Sequence, residues 1–156
     1  MKHFVILICI FFLISTLTAQ PGKLDKNFGM NGLVVSGNNY DYCHSVALQP
    51  DGKIIQAGEG SCSSKYGFLL RRFNTDGSAD ESFGKNGCVV TEVSEYSAIY
   101  AVAVQSDGRI IAGGIIITPA NDVETVIARY NIDGKPDSSF GENGFAKQFV
   151  SESNYM

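Results

Sequence analysis

The chain has 156 residues, of which 17 are glycine and none is tryptophan, and its formal net charge is −4. The lysines and arginines form no basic patch, which excludes the nucleic-acid-binding classes, because phosphate recognition needs clustered positive charge. No window shows the apolar period of an amphipathic helix, and the apolar positions are rich in Val, Ile, Phe and Tyr, which favours strands.

The first 19 residues are predicted to be a secretory signal peptide. A positive start at Lys2 precedes an unbroken apolar run, residues 4–14, and smaller, more polar residues that end at Ala19. The run is too short to span a bilayer, which takes about 20 apolar residues. Cleavage after Ala19 predicts a mature chain, residues 20–156, that is secreted or held at the cell surface. An uncleaved anchor is the alternative, because Leu17 stands where a small residue is usual, and membrane contact is expected only through this segment.

One phrase, Asp-x-x-Phe-Gly-x-Asn-Gly, occurs three times, at residues 25–32, 80–87 and 137–144. A fixed period of roughly 56 residues indicates a repeat architecture, in which each unit stacks on its neighbours. The phenylalanines of the phrase are predicted to pack between units, and its aspartates to cap the linking turn. Arg72 and Arg129, which recur at one place in the repeat, are expected to pair with a turn aspartate.

Short apolar runs alternate with Asp-Gly or Asn-Gly pairs, which favour type I′ hairpins. Four short antiparallel strands in about 56 residues predict a β-propeller blade. The third repeat stops after its first strand, so the predicted fold is all-β, with two four-stranded propeller-like blades and a partial third. The predicted strands are 33–35, 43–49, 53–57 and 68–74 in the first repeat, and 88–90, 99–105, 109–113 and 125–131 in the second.

The chain resembles the delta-60 repeat family, a β-propeller-like repeat of secreted and cell-surface bacterial proteins. Besides the phrase above, the resemblance is carried by Gln-x-Asp-Gly-Lys/Arg-Ile at 49–54 and 105–110, and by Arg-Phe/Tyr-Asn-x-Asp-Gly at 72–77 and 129–134. It covers essentially the whole mature chain, with repeats at about 24–78, 79–135 and 136–156. The family implies a scaffold and a location, with no catalytic motif and no cofactor. The repeat-signature residues are Asp25, Phe28, Gly29, Asn31, Gly32, Asp51, Gly52, Asp76, Gly77, Asp80, Phe83, Gly84, Asn86, Gly87, Asp107, Gly108, Asp133, Gly134, Asp137, Phe140, Gly141, Asn143 and Gly144.

The number of repeats leaves the complete assembly open. A closed propeller takes at least about four blades, and this chain supplies two and part of a third. The chain is a fragment of a larger multi-repeat protein, or it joins head to tail with copies of itself into a ring, or its two repeats pack as a small open sandwich.

Three cysteines follow the predicted cleavage site: Cys43, Cys62 and Cys88. Centring the first hairpin on Asp51-Gly52 places Cys43 opposite a position just before Cys62, and both cysteines are missing together from the second repeat. A Cys43–Cys62 disulfide is therefore predicted for an oxidising compartment, with two free thiols as the alternative. Cys88 occupies an apolar position of the repeat and is predicted to be buried, with a bridge between two chains as its alternative.

No metal, cofactor or catalytic site is predicted. The Asp-Gly turns suggest calcium loops, but apolar residues interrupt them and no bidentate glutamate follows, whereas turn hydrogen bonds explain the same residues. His44 is the only histidine beyond the signal segment, and the Gly-x-Ser-x-Gly nucleophile motif does not occur. The chain is predicted to be a non-enzymatic structural or binding module, with an extracellular hydrolase or lyase as the alternative class.

The segments that differ between repeats predict the contact surface. These segments lie near residues 36–43, 59–67, 92–98 and 115–123. Exposed tyrosine suits both sugar stacking and protein contact, so a surface protein or glycan is the expected partner, together with self-association. The tyrosines in or beside these segments are Tyr40, Tyr42, Tyr66, Tyr96 and Tyr100.

Overall fold

A computed structural model describes residues 22–37, 40–94 and 96–149 of the chain. The predicted signal peptide and cleavage site lie outside the described residues. Within these three ranges no helix is long and apolar enough to cross a membrane. The strands are β1 Tyr42–Leu48, β2 Ile54–Ser61, β3 Tyr66–Phe73, β4 Cys88–Thr91, β5 Tyr96–Val104, β6 Ile110–Ile117, β7 Val123–Tyr130 and β8 Phe145–Phe149.

The strands form two antiparallel sheets of four, in the orders β1-β2-β3-β4 (sheet 1) and β5-β6-β7-β8 (sheet 2). The predicted all-β fold with blade-like units is confirmed. Each sheet, however, takes its fourth strand from the following sequence repeat, because the Phe-Gly phrase turns the chain back along the third strand. The described part of the third repeat is therefore the outer strand of sheet 2. Residues 33–35, predicted as a strand, form only isolated bridges at Leu33.

The turns separate into two kinds. In the Asn-Gly pair of the phrase both residues are left-handed, with φ of 53° at Asn86 and 80° at Gly87. In the Asp-Gly hairpin only the glycine is left-handed, with φ of 84° at Gly52. There the N–H of Lys53 donates to Asp51 Oδ1 at 3.1 Å, which favours a right-handed Asp51. These hairpins are thus type I turns closed by a left-handed glycine, and the predicted type I′ geometry is wrong for them.

The hydrophobic core lies between the two sheets. Alternate residues of each strand point into it, as the two-residue period of a strand dictates. Burying each large apolar side chain there contributes about 1.5–3 kcal/mol. The core residues from sheet 1 and its following phrase are Ile55, Ala57, Phe68, Leu70 and Phe83, and those from sheet 2 are Ile99, Ile110, Ala112, Ile116, Val126, Ala128 and Tyr130.

The inner strands β1 and β5 each carry a bulge at the equivalent place. The register shifts between Cys43 and Ser45 in one and between Ile99 and Ala101 in the other. The N–H of Val102 donates across the sheets to Ser45 Oγ at 3.2 Å. The bulges therefore lie where the two inner strands come close.

Candidate functional site

The segments that differ between repeats lie together at one end of both sheets, which we call the loop end. Strands β1, β3, β5 and β7 begin there, and β2 and β6 finish there, because neighbouring strands are antiparallel. The opposite end carries the Asp-Gly hairpins and the Phe-Gly phrases and is called the turn end. The repeat signature is thus concentrated at one end and the variation at the other.

Three tyrosines line an open groove at the loop end of sheet 1. Tyr40, Tyr42 and Tyr66 expose 74, 55 and 38% of their surface. With Gly37 and the serines at 61, 63 and 64 they enclose a volume of about 900 Å³. This volume is within the range of small-ligand sites, and its lining combines aromatic rings with hydroxyl groups.

The hydroxyl group of Tyr66 is a weaker acid than that of an ordinary tyrosine. Burial raises the pKa of Tyr66, and the Glu59 carboxylate raises it further through its charge and a hydrogen bond. The phenol is therefore a hydrogen-bond donor at all physiological pH values.

A buried ion pair fixes the loop that carries Tyr40 and Tyr42. Arg71 Nη2 donates to Asp41 Oδ2 at 2.6 Å and to the carbonyl oxygen of Ser61 at 3.1 Å. The N–H of Ser61 donates to Asp41 Oδ1 at 2.9 Å. A Cβ atom at position 60 would collide with the Asp41 carboxylate, so the glycine there is required by this contact.

Sequence reasoning missed the Asp41–Arg71 pair. The second repeat has an alanine at the place of Arg71, so comparing the repeats identifies neither residue as a signature. The available signal was a second arginine in an otherwise apolar strand, on the opposite face from Arg72, since a charge that is largely buried needs a partner.

A disulfide next to this network joins Cys62 to Cys88, with their Cα atoms 6.0 Å apart. The predicted Cys43–Cys62 bridge is wrong, and Cys43 is an exposed free thiol. The register is the reason. The hairpin pairs Leu48 with Ile54, one residue from the expected pairing, and the bulge in β1 adds a second residue, so that Cys43 lies opposite Gly58. The loop after β2 instead brings Cys62 to the first residue of β4. Cys88 is buried, as predicted, but as half of this bridge rather than as an apolar thiol.

At the turn end, Asp80 lies at the centre of a charged cluster. Arg72 Nε and Lys53 Nζ lie 2.7 and 2.9 Å from Asp80 Oδ2, and Ser82 Oγ donates to Asp80 Oδ1 at 2.7 Å. Burial on its own raises the pKa of Asp80. The hydrogen bonds from Ser82 and Lys53 and the charge of Arg72 outweigh it and hold the pKa well below its ordinary range.

The same cluster ties sheet 1 to sheet 2. Arg72 Nη1 donates to the carbonyl oxygen of Ile132 at 2.6 Å, and its guanidinium lies 4.6 Å from the centre of the Phe83 ring. Phe83 is fully buried, and its ring leaves no room for a side chain at Gly134. The phrase thus places its phenylalanine between the sheets and its aspartate on the arginine.

The second repeat contains the same contacts in a more open form. Arg129 Nε lies 2.8 Å from Asp137 Oδ2, and its guanidinium is 4.8 Å from the Phe140 ring. A hydrogen bond from Ser139, more than the Arg129 charge, lowers the pKa of Asp137. The Arg129 side chain is 21% exposed, whereas that of Arg72 is 4% exposed. The difference arises because sheet 2 has no following sheet packed on it among the described residues.

The remaining candidate groups are simple pairs. His44 Nε2 lies 3.5 Å from Glu59 Oε1, and its ring lies beside that of Tyr100 at 4.9 Å. In the Asp-Gly turns the carboxylates accept the N–H two residues on, as Asp76 does from Ser78 at 2.9 Å. Within the part of the chain that the structure describes, no three His, Cys, Asp or Glu side chains group as metal ligands would.

Two segments of the chain, residues 49–83 and 105–140, match a family described as a domain of unknown function (DUF5122) beta-propeller. Each segment runs from the first Asp-Gly hairpin of a repeat to the phenylalanine of the next phrase. No curated protein is significantly similar to the chain. The matched segments contain the second and third strands of each sheet, so family and fold identify the same repeating unit.

Proposed function

We propose that this β-propeller-like repeat chain is a non-enzymatic module of the delta-60 type, secreted or held at the cell surface, that binds a glycan at its loop end. One observation carries the proposal: Tyr40, Tyr42 and Tyr66 face a single open groove, and the Asp41–Arg71 ion pair fixes the segment that carries the first two. Fixed, exposed aromatic rings suit recognition because little conformational entropy is lost on binding.

The lining of the groove indicates the kind of glycan. Tyrosine rings offer flat apolar surfaces to the C–H faces of sugars, and neighbouring serine hydroxyls exchange hydrogen bonds with sugar hydroxyls. The carboxylates of Asp41 and Glu59 act on the hydroxyl group of Tyr66, and the Asp41 charge is paired with Arg71. An anionic sugar would be repelled by Glu59, so we expect a neutral saccharide.

The test is binding of the purified protein to an array of defined neutral and acidic oligosaccharides. The variant carries Tyr42→Ala together with Tyr66→Ala, and the matched control is Tyr100→Ala, an exposed tyrosine beside His44 and away from the groove. We expect wild type and control to bind a neutral saccharide and the variant to bind it about tenfold more weakly or worse, since each aromatic contact contributes about 1 kcal/mol. Wild-type protein that binds no saccharide, or a double variant that binds as well, would contradict the proposal.

Secretion is the second part of the proposal, and the Cys62–Cys88 bridge supports it. Structural disulfides persist in oxidising compartments and are rare in the cytosol. Intact-mass measurement of the protein from a secreting host should give a chain that begins at Gln20 and contains one disulfide. A cytosolic chain with residues 1–19 intact and all thiols reduced would contradict it.

A further inference from the structure

The loop end of sheet 2 contains a second groove, in addition to the groove of the three tyrosines, which we call the first groove. The second groove encloses a volume of about 340 Å³. It is lined by Tyr96, the first residue of β5, and by Thr118, Pro119 and Asn121 of the turn that joins β6 to β7. Each sheet therefore carries a groove at its loop end.

The two grooves occupy equivalent places in the repeat. Strand β1 pairs with β2 in the same register as β5 pairs with β6, with the bulge at the same position. Several positions that line the first groove therefore have an equivalent that lines the second. The equivalent pairs are Gly37 and Val93, Tyr40 and Tyr96, Ser61 and Ile117, and Ser63 and Pro119. An exposed tyrosine thus stands at the same position in each groove, with exposures of 74% for Tyr40 and 62% for Tyr96.

The two grooves are also neighbours. The inner strands β1 and β5 both begin at the loop end, and the N–H of Val102 in β5 donates to Ser45 Oγ in β1 at 3.2 Å. The starts of the two inner strands therefore lie side by side. Packed sheets are about 10 Å apart, so equivalent places along these strands are separated by a distance of that order. A ligand with several linked units reaches both grooves, whereas a single sugar occupies one.

The second groove offers the same kinds of contact as the first. Tyr96 provides an exposed ring, and the Thr118 hydroxyl and the Asn121 amide provide polar groups. The turn is fixed, because the N–H of Asn121 donates to the carbonyl oxygen of Thr118 at 2.8 Å and Asn121 is left-handed, with φ of 67°. Among the described residues, no charged side chain lines either groove, so both suit an uncharged ligand.

We propose that the second groove is a further saccharide site, and that one linear neutral saccharide of several units lies across both grooves. The inference rests on the proposed function, because the first groove defines the class of ligand. One part of the saccharide stacks on the tyrosines of the first groove, and another part stacks on Tyr96. Once the first part is bound, the second binds at a high effective concentration, so a longer saccharide binds more tightly than a short one.

The test is isothermal titration calorimetry of the purified protein with linear oligomers of glucose, mannose and N-acetylglucosamine, each in a two-unit and a six-unit form. The measured quantity is the ratio of the six-unit affinity to the two-unit affinity within a series. We expect a ratio of about tenfold or more for the wild type in the series that binds. The variant Tyr96→Ala should reduce the ratio to about twofold or less, because it removes the ring of the second groove.

The matched control is Tyr100→Ala, which removes a tyrosine of the same strand that is 51% exposed and lines neither groove. This control should keep the wild-type ratio. Circular dichroism checks the fold of each variant. If Tyr96→Ala unfolds, Asn121→Gly replaces it, because glycine keeps the left-handed turn and removes the lining amide.

Two kinds of result would overturn the inference, and they are distinguishable. A wild-type ratio near one, or a ratio that Tyr96→Ala leaves unchanged, overturns the second site while the proposed function of the first groove stands. Failure of every oligomer to bind the wild type overturns both.

Discussion

Arg72 and Asp80 form an ion pair in which both side chains are buried, with exposures of 4 and 8%. Replacing Asp80 by Asn keeps the shape and removes the charge, so Arg72 is left without its counter-charge in a low-dielectric site. We expect Asp80→Asn to lower the free energy of unfolding by about 3 kcal/mol, the usual cost of breaking a buried pair on one side. Urea denaturation of the wild type and of Asp80→Asn at neutral pH measures this difference in the free energy of unfolding.

Two further substitutions test whether the burial of the ion pair decides the loss of stability. Asp122→Asn changes an exposed aspartate of the loop before β7 and should leave the free energy of unfolding nearly unchanged. Asp137→Asn breaks the equivalent pair of the second repeat and should cost less than Asp80→Asn, because Arg129 is more exposed than Arg72. Equal losses from Asp80→Asn and Asp122→Asn would show that burial of the pair does not matter.

The Asp80 carboxylate also makes stability depend on acid pH. Its pKa in the folded chain lies below the ordinary value of 3.8, so near pH 4 the unfolded chain binds a proton more readily than the folded one. The stabilisation is complete at neutral pH and is lost as the pH falls below about 4 toward the folded pKa. Urea midpoints between about pH 5 and pH 3 should fall more steeply for the wild type than for Asp80→Asn. Parallel curves would contradict the assignment.

At the scale of elements, the Cys62–Cys88 bridge fastens the loop between β2 and β3 to the start of β4. The bridge closes a loop with a sequence separation of 26 residues. Chain entropy assigns such a loop about 3–4 kcal/mol of stabilisation. We expect Cys62→Ser with Cys88→Ser, or a reducing agent, to lower the melting temperature, whereas Cys43→Ser leaves it unchanged.

Non-reducing peptide mapping distinguishes the two pairings directly. The structure predicts a linked peptide pair that contains Cys62 and Cys88, and alkylation of Cys43 without prior reduction. A disulfide-linked peptide that contains Cys43 would contradict the structure and favour the Cys43–Cys62 pairing that the sequence predicted.

Most strands could be predicted because Asp-Gly and Asn-Gly pairs delimit them. The predicted 43–49 and 125–131 differ from β1 and β7 by one or two residues at either end. The predicted 53–57 ends too early, because Gly58 and Gly60 lower strand propensity, yet both lie in β2. There the close approach of Asp41 requires a glycine at position 60. Strand propensity depends on the residue type alone and does not include such a tertiary contact.

The loop-end site could be predicted only in outline. Differences between repeats located the loops, and composition supplied the tyrosines, so the exposed Tyr40, Tyr42 and Tyr66 were named from the sequence. The disulfide was not predicted correctly, because the pairing of Cys43 is displaced by two residues, one at the hairpin and one at the bulge, and such a displacement changes the partner of a side chain. The Asp41–Arg71 pair depends on the path of a loop, which no periodicity describes.

At the scale of the whole molecule, Phe83 joins the two sheets. It is fully buried under the Arg72 guanidinium and against Gly134, whereas Phe140, its equivalent, is partly exposed with no following sheet among the described residues. Phe83→Ala should lower the free energy of unfolding by about 3–5 kcal/mol through loss of burial and creation of a cavity. Phe140→Ala should cost less than half as much.

Comparing the two variants separates the stability of a blade from the stability of the contact between blades. If the phrase phenylalanine served only the turn that carries it, the two substitutions would cost the same, because the turns are equivalent in sequence and hydrogen bonding. If it serves the contact between sheets, the difference in urea-derived free energy measures that contact.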